Sequence, residues 1–276
     1  MHYILYNPKS NLGKTEKDVL KLERKLNKKG IVTMKYDLFA LKEPLKIREK
    51  VKDDDVIILA GGDGTLSRLV NNKLFASLNN KIFLYRSGRG NDFSREFKAD
   101  FFEITNNIKN LPSYSYGDIN RKFLNGLGVG IDALTCKKQM ENFLKGERES
   151  YFSIAWNAFK TFKPFSLDIE IDGVKHHYDN VWFFTVQNGK YFGGGMRISP
   201  KSIREDEYLE FVVIHNVGFK KLLSIFPLIF IGKHTLAKNH VTIIRGKKFI
   251  IDLNGYNTFQ ADGEVDEIPN HLEVYR

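Results

Sequence analysis

The sequence predicts two domains of different class, an α/β domain over residues 1–116 and a mainly β domain over residues 117–276. Apolar strand patterns alternate with helix patterns in the first part, which is typical of a sheet covered by helices. After Gly117 β segments dominate, and the pair Asp172-Gly173 between two alternating runs indicates a β-hairpin. The 276 residues are enough for two domains that each bury a core.

In the first domain, apolar runs predict four strands and helical periodicity predicts two helices. Val19, Leu22 and Leu26 fall on one face of the first helix, and Gly30 ends it. Because the strands are nearly continuous apolar runs, we expect a parallel sheet buried on both faces. The predicted strands are Tyr3–Tyr6, Ile31–Tyr36, Asp55–Ala60 and Lys81–Tyr85, and the predicted helices are Thr15–Lys29 and Thr65–Phe75.

In the second domain, eight β segments are interrupted by two helical stretches, at about Cys136–Phe162 and Phe219–Ile231. This pattern predicts a mainly β domain. The predicted strands are Phe123–Ile131, Leu167–Asp172, Val174–Tyr178, Val181–Val186, Tyr208–His215, His240–Arg245, Lys248–Leu253 and His271–Tyr275.

The charge of the chain favours anionic partners. The net charge is +10, and residues 1–52 carry fourteen Lys/Arg against six Asp/Glu. A basic surface attracts nucleic acid, nucleotides and acidic lipid headgroups alike. The chain lacks zinc-finger spacing, an aromatic RNA-binding signature and a basic low-complexity arm, so we expect no nucleic-acid partner.

Cysteine usage and hydropathy favour a cytoplasmic protein. Cys136 is the single cysteine, which excludes an internal disulfide and a cysteine-based zinc site. The N-terminal apolar run predicts a strand and not a signal sequence. The longest apolar stretch, Leu222–Ile231, is interrupted by Ser224 and Pro227 and is too short to span a bilayer.

The most informative local motif is Gly61-Gly62-Asp63-Gly64-Thr65, which follows an apolar strand and opens a helix. Glycines let the backbone approach a phosphate, and the helix N-terminus favours its negative charge. Asp63 then lies beside the phosphates, where it could orient Mg²⁺ directly or through water. The alternative is a tight βα turn with an acidic helix cap.

A second glycine loop, residues 86–93, also follows a predicted strand and contains Gly88, Asn91 and Asp92. Loops at the carboxyl ends of neighbouring parallel strands converge, so this loop and the first are expected to share a ligand. Asn91 and Asp92 could equally be a helix N-cap pair.

Near the N-terminus, Gly13-Lys14-Thr15 matches the end of a Walker A loop. Pro8 stands where the first glycine of that motif belongs, and proline has no N–H to offer a phosphate. An ordinary P-loop is therefore disfavoured. A polar turn that places Ser10 near an anion and a simple helix start with solvated lysines both remain open.

Two later segments contain unusual glycines. Gln260-Ala261-Asp262-Gly263-Glu264 is an acidic turn that would be read as a plain turn in isolation. The triplet Gly193-Gly194-Gly195, which follows a predicted strand, indicates close backbone packing or a binding loop.

Taken in order, these motifs resemble the diacylglycerol kinase catalytic family, which includes bacterial soluble lipid kinases and is related to NAD kinases and sphingosine kinases. The resemblance spans nearly the whole chain. The motif at Gly61–Thr65 is shared with NAD kinases, whereas the segment Gly88–Phe93 and the late turn Asp262–Glu264 favour the lipid kinases. The matching motifs are Asn7-Pro8, Gly61–Thr65, Gly88–Phe93, Gly193–Gly195 and Asp262–Glu264.

The resemblance implies a Rossmann-like α/β nucleotide-binding domain, a C-terminal β-sandwich domain for the lipid, and an active site in the cleft between them. It implies transfer of the γ-phosphate of ATP, with Mg²⁺, to the hydroxyl of a lipid alcohol, most simply diacylglycerol. Asp262 resembles the general base, Glu264 supports it, and Asp63 matches the partner of magnesium-ATP. The other positions implied at the nucleotide are Asn7, Ser10, Gly61, Gly62, Gly64, Thr65, Gly88, Asn91 and Asp92.

The sequence departs from the family pattern at two places. Arg89 replaces a small residue, and Asp206-Glu207 replaces an Asp-Gly pair of a structural magnesium site, for which Asp206 and Glu210 are the remaining candidate ligands. These departures keep a non-catalytic lipid-binding protein open as an alternative, beside a NAD kinase.

The lipid substrate implies a protein peripheral to the inner membrane face. The aromatic residues between Tyr151 and Phe165, with Lys160 and Lys163 among them, suit membrane docking, and they suit a core equally. A homodimer is compatible with the sequence, which does not give the oligomeric state.

Overall fold

The computed structural model describes residues 1–38, 47, 50–88, 90–146, 151–254, 256–267 and 271–276. They form two compact units, residues 1–111 and residues 112–276. The boundary between the units lies five residues before the one expected from the sequence. The predicted fold class is confirmed, since the first unit is α/β and the second is an antiparallel β-sandwich.

The first unit is built on a five-stranded sheet of order β2-β1-β3-β4-β5, in which the first four strands are parallel and β5 is antiparallel to β4. The three-residue strand β5 was not predicted, because it is too short to show a pattern. The strands are β1 His2–Tyr6, β2 Thr33–Asp37, β3 Val56–Gly61, β4 Lys81–Arg86 and β5 Phe101–Glu103. The helices are α1 Lys14–Asn27, α2 Asp63–Val70, α3 Lys73–Ala76 and α4 Thr105–Lys109.

Burial explains why these strands pair in parallel at the centre of the unit. Four consecutive residues of β3, Ile57–Ala60, are fully buried, so both faces of the strand are covered. On one face, Val19 and Leu22 of α1 pack in the same cluster as Ile4 and Ile58. The carboxyl ends of β1, β3 and β4 therefore lie side by side at one edge of the sheet.

The second unit consists of two six-stranded antiparallel sheets, of order β10-β9-β14-β17-β6-β7 and β13-β12-β11-β8-β15-β16. Residues of both sheets form one large core cluster, which includes the fully buried rings of Phe184, Phe249 and Phe259. The strands are β6 Ser113–Tyr116, β7 Ile119–Lys122, β8 Gly126–Gly130, β9 Phe165–Ile171, β10 Val174–Val181, β11 Phe183–Gln187, β12 Leu209–Ile214, β13 Val241–Gly246, β14 Lys248–Asp252, β15 Thr258–Ala261, β16 Glu264–Glu267 and β17 His271–Tyr275.

Three helices belong to the second unit: α5 Ile131–Leu144, α6 Tyr151–Thr161 and α7 Phe219–Phe230. The sequence predicted one helical stretch where α5 and α6 are separate helices, and α5 begins five residues earlier than predicted. Phe159 of α6 and Ile225 of α7 pack on Phe183 and Val212 in a second cluster, so the second sheet is covered on both faces. Within the described part of the chain, no helix is long and apolar enough to cross a membrane.

Candidate functional site

Three loops at the carboxyl edge of the first sheet surround one pocket of about 620 Å³. They follow β1, β3 and β4, as the parallel order requires. The pocket brings together seven residues predicted from the sequence: Asn7, Ser10, Gly62, Asp63, Gly64, Thr65 and Gly88. It also contains six residues that the sequence reasoning missed: Asn11, Leu38, Arg68, Leu69, Asn72 and Gly90.

Some of the missed residues had a readable signal. Arg68 and Asn72 follow Gly64 at intervals of four residues, and both line the pocket. Four residues make about one helical turn, so Arg68 lies on the face of α2 that Gly64 begins, whereas Asn72 follows the end of the helix. Extending the glycine motif along its own helix would have found Arg68.

The glycines after β3 and β4 let the two loops touch backbone to backbone. A methyl group added to Gly88 would lie 2.5 Å from Cα of Gly62 and 2.6 Å from Oδ1 of Asn91. A methyl group on Gly62 would lie 2.9 Å from Cα of Gly88. Such distances exclude any side chain, so Gly62 and Gly88 are required by the contact between the loops.

Gly64 differs from its neighbours, because an added methyl group would meet no protein atom within 4 Å. It lies in the first turn of α2 and lines the pocket. Neither packing nor backbone strain inside the protein therefore requires glycine here. The bare backbone at this helix N-terminus leaves room for a ligand, and the helix dipole favours an anionic one.

The carboxylate of Asp63 crosses from the first glycine loop to the second. Its two oxygens accept hydrogen bonds from the backbone N–H groups of Asp92 (2.8 Å) and Phe93 (3.0 Å). Asp63 thus fixes the second loop while forming part of the pocket wall. Asp63 is the one carboxylate among the lining residues, and each of its oxygens keeps a second lone pair through which it would hold Mg²⁺ bound mainly by phosphate and water.

Asn91 and Asp92 support the second loop and do not line the pocket. The Asn91 side chain donates to the carbonyl of Gly88 (2.6 Å), and its backbone is in the left-handed region with φ of 53°. Asp92 is buried and lies 3.4 Å from the Arg95 guanidinium. Arg89 lies outside the described residues.

Thr15 joins the loop after β1 to the loop after β4. Its fully buried hydroxyl lies 2.7 Å from the Ser10 hydroxyl and 3.1 Å from the carbonyl oxygen of Ser87. The Ser87 hydroxyl in turn donates to Asp18 (2.7 Å). Thr15, which matched the last residue of a Walker A loop, is therefore buried and holds two loops together. Lys14 beside it is exposed.

In the second unit, the acidic turn joins β15 to β16. Asp262 has a φ of 52°, and its two carboxylate oxygens accept the backbone N–H groups of Leu124 (2.6 Å) and Asn125 (2.8 Å). Glu264, the first residue of β16, is exposed. The turn thus offers one carboxylate with both oxygens hydrogen-bonded to the backbone and one that reaches solvent.

The segment that orients Asp262 is itself held by side chains. The buried Arg204 donates to the carbonyl of Leu124 and to the side-chain oxygen of Asn125 (2.6 Å). The Asn188 amide also donates to the Leu124 carbonyl (2.8 Å). Nothing in the sequence pattern pointed to Arg204, because its partner Leu124 lies 80 residues away along the chain.

A buried carboxyl group lies behind the same turn. The N–H of Gly263 donates to Gln260 (2.7 Å), whose amide donates to Asp132 at the start of α5 (2.7 Å). Burial raises the pKa of the Asp132 carboxyl to about 6, and the hydrogen bond from Gln260 opposes the rise. A methyl group on Gly128 would overlap the Asp132 carboxylate, so this glycine makes the room for it.

Asp206 and Glu210 do not fit a magnesium site. The Asp206 carboxylate pairs with the Arg245 guanidinium and accepts the N–H of Tyr208, and Glu210 is buried against the hydroxyl of Ser199. Across the described ranges, no group of three or more His, Cys, Asp or Glu is placed to hold a metal. The Arg245 guanidinium therefore occupies the Asp206 carboxylate that a magnesium site would need.

α/β proteins commonly bind phosphate groups in a glycine-lined pocket at the carboxyl edge of a parallel sheet. Residues 2–115 match the family model of the diacylglycerol kinase catalytic domain. Residues 126–275 match that of the YegS C-terminal NAD kinase beta sandwich-like domain. The chain belongs to the diacylglycerol kinase/YegS family. Curated relatives of the chain are named as kinases.

Several curated relatives cover most of the chain. A Bacillus subtilis protein named as a lipid kinase, YtlR, is 29% identical over an alignment of 229 residues. The alignment covers 76% of this chain and 74% of that protein. A diacylglycerol kinase of Mycobacterium tuberculosis is 24% identical over 246 residues, covering 82% and 78%. A diacylglycerol kinase of Bacillus subtilis is 22% identical over 289 residues, covering 98% and 94%.

The fold is also that of a solved structure. A crystal structure of a diacylglycerol kinase from Bacillus anthracis superposes with a TM-score of 0.62 at 18% identity, and it covers 100% of this chain and 93% of that one. At this identity the likeness concerns the fold alone.

Asp132 gives a pH-dependent term in stability. Its pKa is near 3.8 when exposed and about 6 in the fold, so its contribution is fully present below pH 3.8 and is lost as the pH rises through 6. We expect the wild type to lose roughly 2 kcal/mol of unfolding free energy relative to Asp132→Asn between pH 4 and pH 7. Urea unfolding of both proteins across this range measures the difference, and parallel curves would contradict the assignment.

Proposed function

We propose that this protein is an ATP-dependent lipid kinase that transfers the γ-phosphate of ATP to the hydroxyl of a lipid alcohol. Diacylglycerol is the proposed substrate and phosphatidic acid the product. The observation that carries the proposal is the open backbone at Gly64 on the wall of a 620 Å³ pocket, in a chain of the diacylglycerol kinase/YegS family.

The first unit would hold ATP with its phosphates at the N-terminus of α2. Phosphoryl transfer proceeds through a loose transition state with charge on the phosphoryl oxygens, so a kinase mainly positions and neutralises. Arg68 supplies a positive charge on the pocket wall, and Asn7 and Ser10 supply polar groups on the opposite loop. Mg²⁺ bound to the phosphates would neutralise further charge, with Asp63 as its protein contact.

The second unit would hold the lipid. A narrow crevice lies between its helices and β11, and its wall is almost entirely apolar. Asp132 and Thr135 are the polar residues in it. The crevice has a volume of about 30 Å³, so an acyl chain would enter it only if α6 and α7 moved away from β11. The crevice wall includes Ile131, Phe159, Phe183, Phe192, Phe226 and Ile229.

One carboxylate of the acidic turn would accept the proton of the lipid hydroxyl. The family resemblance gives this role to Asp262, with Glu264 in support. The contacts support this division, because the backbone N–H groups of Leu124 and Asn125 orient the Asp262 carboxylate while each of its oxygens keeps a second lone pair. We therefore assign Asp262 to accepting the proton and Glu264 to supporting the site.

A NAD kinase is the second candidate, favoured by one observation. The family model that residues 126–275 match is described as NAD kinase beta sandwich-like, and the motif at Gly61–Thr65 is common to both groups. The same assay separates the two candidates, because NAD and a lipid alcohol can be offered side by side.

The direct test is a transfer assay with the purified full chain, labelled ATP, Mg²⁺ and a panel of acceptors. We expect labelled phosphatidic acid from diacylglycerol and no labelled NADP. The panel includes monoacylglycerol, ceramide, sphingosine and NAD. A reaction without any acceptor is the blank. Transfer to NAD alone would establish the second candidate, and no transfer to any acceptor would overturn both.

Gly64→Ala should impair ATP binding without harming the fold. Alanine favours a helix more than glycine does, and its methyl group would meet no protein atom. The same methyl group would stand where a phosphate approaches, so we expect ATP affinity to fall at least tenfold while the melting temperature holds or rises. Isothermal titration with a non-hydrolysable ATP analogue and a thermal melt measure both.

Gly218→Ala is the matched control for that variant. Gly218 is also open to solvent with an ordinary φ of −76° at a helix N-terminus, but it lies in the second unit. It should leave ATP affinity unchanged. Equal ATP affinities of Gly64→Ala and the wild type would show that no phosphate binds at Gly64.

Glu264→Gln and Asp262→Asn should fail in different ways. Loss of a general base lowers kcat by about 10²–10⁴, so Asp262→Asn should lose activity by that factor, whereas Glu264→Gln should lose less at an unchanged melting temperature. Asp262→Asn also turns its amide N–H₂ toward a backbone N–H and should destabilise the unit by about 1–3 kcal/mol. Steady-state kinetics below the melting range of each variant, together with the melts, test this. An active Asp262→Asn enzyme, or a larger loss of kcat in Glu264→Gln, would move the base to Glu264.

A further inference from the structure

Three large apolar side chains are exposed where α7 ends. Phe230 is 49% exposed, Ile231 is 56% exposed, and Leu236 in the following 3-10 turn is 73% exposed. Moving each of these side chains out of water lowers the free energy of the system. Because the three lie together at one helix end, we expect them to contact an apolar surface or a bilayer.

The helix end that carries these side chains is firmly held. His234, in the same turn as Leu236, is fully buried, and its ring nitrogen lies 2.9 Å from the carbonyl oxygen of Ile198. Burial lowers the pKa of His234, which keeps the ring neutral. The Phe226 ring packs edge-on against Phe230 with centroids 6.0 Å apart. The exposed side chains are thus presented by ordered structure.

The chain segment that contains this patch carries one sign of charge. From Phe211 to Ile251 the sequence has no Asp or Glu and seven Lys or Arg. Four of the lysines lie on α7 or within eight residues of its end, at positions 220, 221, 233 and 238. Apolar side chains with a basic rim are the combination that binds an anionic membrane surface.

The sequence left the aromatics between Tyr151 and Phe165 open either as a docking surface or as core. Phe159 and Phe162 are core residues, 6% and 8% exposed. Phe159 packs edge-on against Phe226 of α7, with centroids 4.9 Å apart. Trp156 is 38% exposed and has Lys160 over its ring. The side chains of Tyr151 and Phe152 lie outside the described residues.

We propose that the end of α7, with Phe230, Ile231 and Leu236 and the lysines around them, docks this protein on an anionic lipid bilayer. The proposal rests on the proposed lipid kinase activity in one respect, since it explains how the substrate is reached. Phe226 and Ile229 on the inner side of α7 line the apolar crevice. A lipid leaving the bilayer at Phe230 would therefore be about one helical turn from that crevice.

Charge favours a bilayer over a second copy of the chain. In a two-fold dimer through this surface, each lysine would face the same basic surface of the partner. No carboxylate between residues 211 and 251 could pair with it. Anionic headgroups supply the missing negative charge.

The test is binding of the full chain to vesicles, measured by flotation without ATP. We expect phosphatidylcholine vesicles with 30% phosphatidylglycerol to bind the wild type roughly tenfold or more tightly than pure phosphatidylcholine vesicles. Phe230→Ser with Ile231→Ser should weaken binding to both kinds of vesicle about tenfold or more. Lys233→Gln with Lys238→Gln should remove most of the preference for the anionic vesicles.

Val174→Ser is the matched control, because Val174 is 59% exposed on a hairpin of the same unit. It should bind like the wild type. Equal binding by the Phe230/Ile231 variant and the wild type, or equal loss in Val174→Ser, would overturn the proposal. So would a wild-type dimer that the Phe230/Ile231 variant converts to a monomer, since the surface would then join two copies.

Binding and catalysis can fail separately. Flotation needs no turnover, so vesicle binding without any lipid phosphorylation would support the docking surface and reject the kinase. If short-chain dispersed diacylglycerol is phosphorylated equally by the wild type and the Phe230/Ile231 variant, and vesicle binding is absent from both, the docking surface is rejected and the kinase stands.

Discussion

The pocket of the first unit depends on the contact between Gly62 and Gly88, where two loops meet with no side chain between them. Only this approach lets the Asp63 carboxylate reach the backbone N–H groups of Asp92 and Phe93. The buried hydroxyl of Thr15 ties in the third loop through Ser87. The parallel sheet brings the loops to one edge, and these short contacts turn that edge into a pocket of fixed shape.

The second unit uses the same device. Asp262, also in a glycine turn, accepts two consecutive backbone N–H groups of a neighbouring segment, as Asp63 does. In both motifs the aspartate orders a neighbouring segment of the backbone. A carboxylate that accepts two backbone donors is well oriented, and each of its oxygens keeps a second lone pair for a further contact.

The sequence allowed prediction of the features that depend on local pattern. Strands β1, β3 and β4 were predictable because continuous apolar runs must be buried on both faces, and parallel order then brought their loops together. The short strand β5 and the hairpin β6–β7 were missed, because three or four residues carry too little pattern. Contacts such as Arg204 with Leu124, 80 residues apart, leave no local signal at all. The family resemblance suggested a metal ligand at Asp206, whose carboxylate pairs with Arg245.

The ion pair of Asp206 with Arg245 and the lysines around α7 both follow from the charge of one chain segment. The run from Phe211 to Ile251 contains basic residues and no acidic ones, so its positive charges must be met by groups outside the run or remain uncompensated. On one side of the run, Arg245 and Lys247 pair with Asp206 and Glu207, and Lys247 holds the pKa of Glu207 below its usual range. The pairing with Arg245 uses the Asp206 carboxylate that a magnesium ion would need. Around α7 the lysines adjoin exposed apolar side chains, and there an anionic bilayer can supply both the charge and the apolar phase.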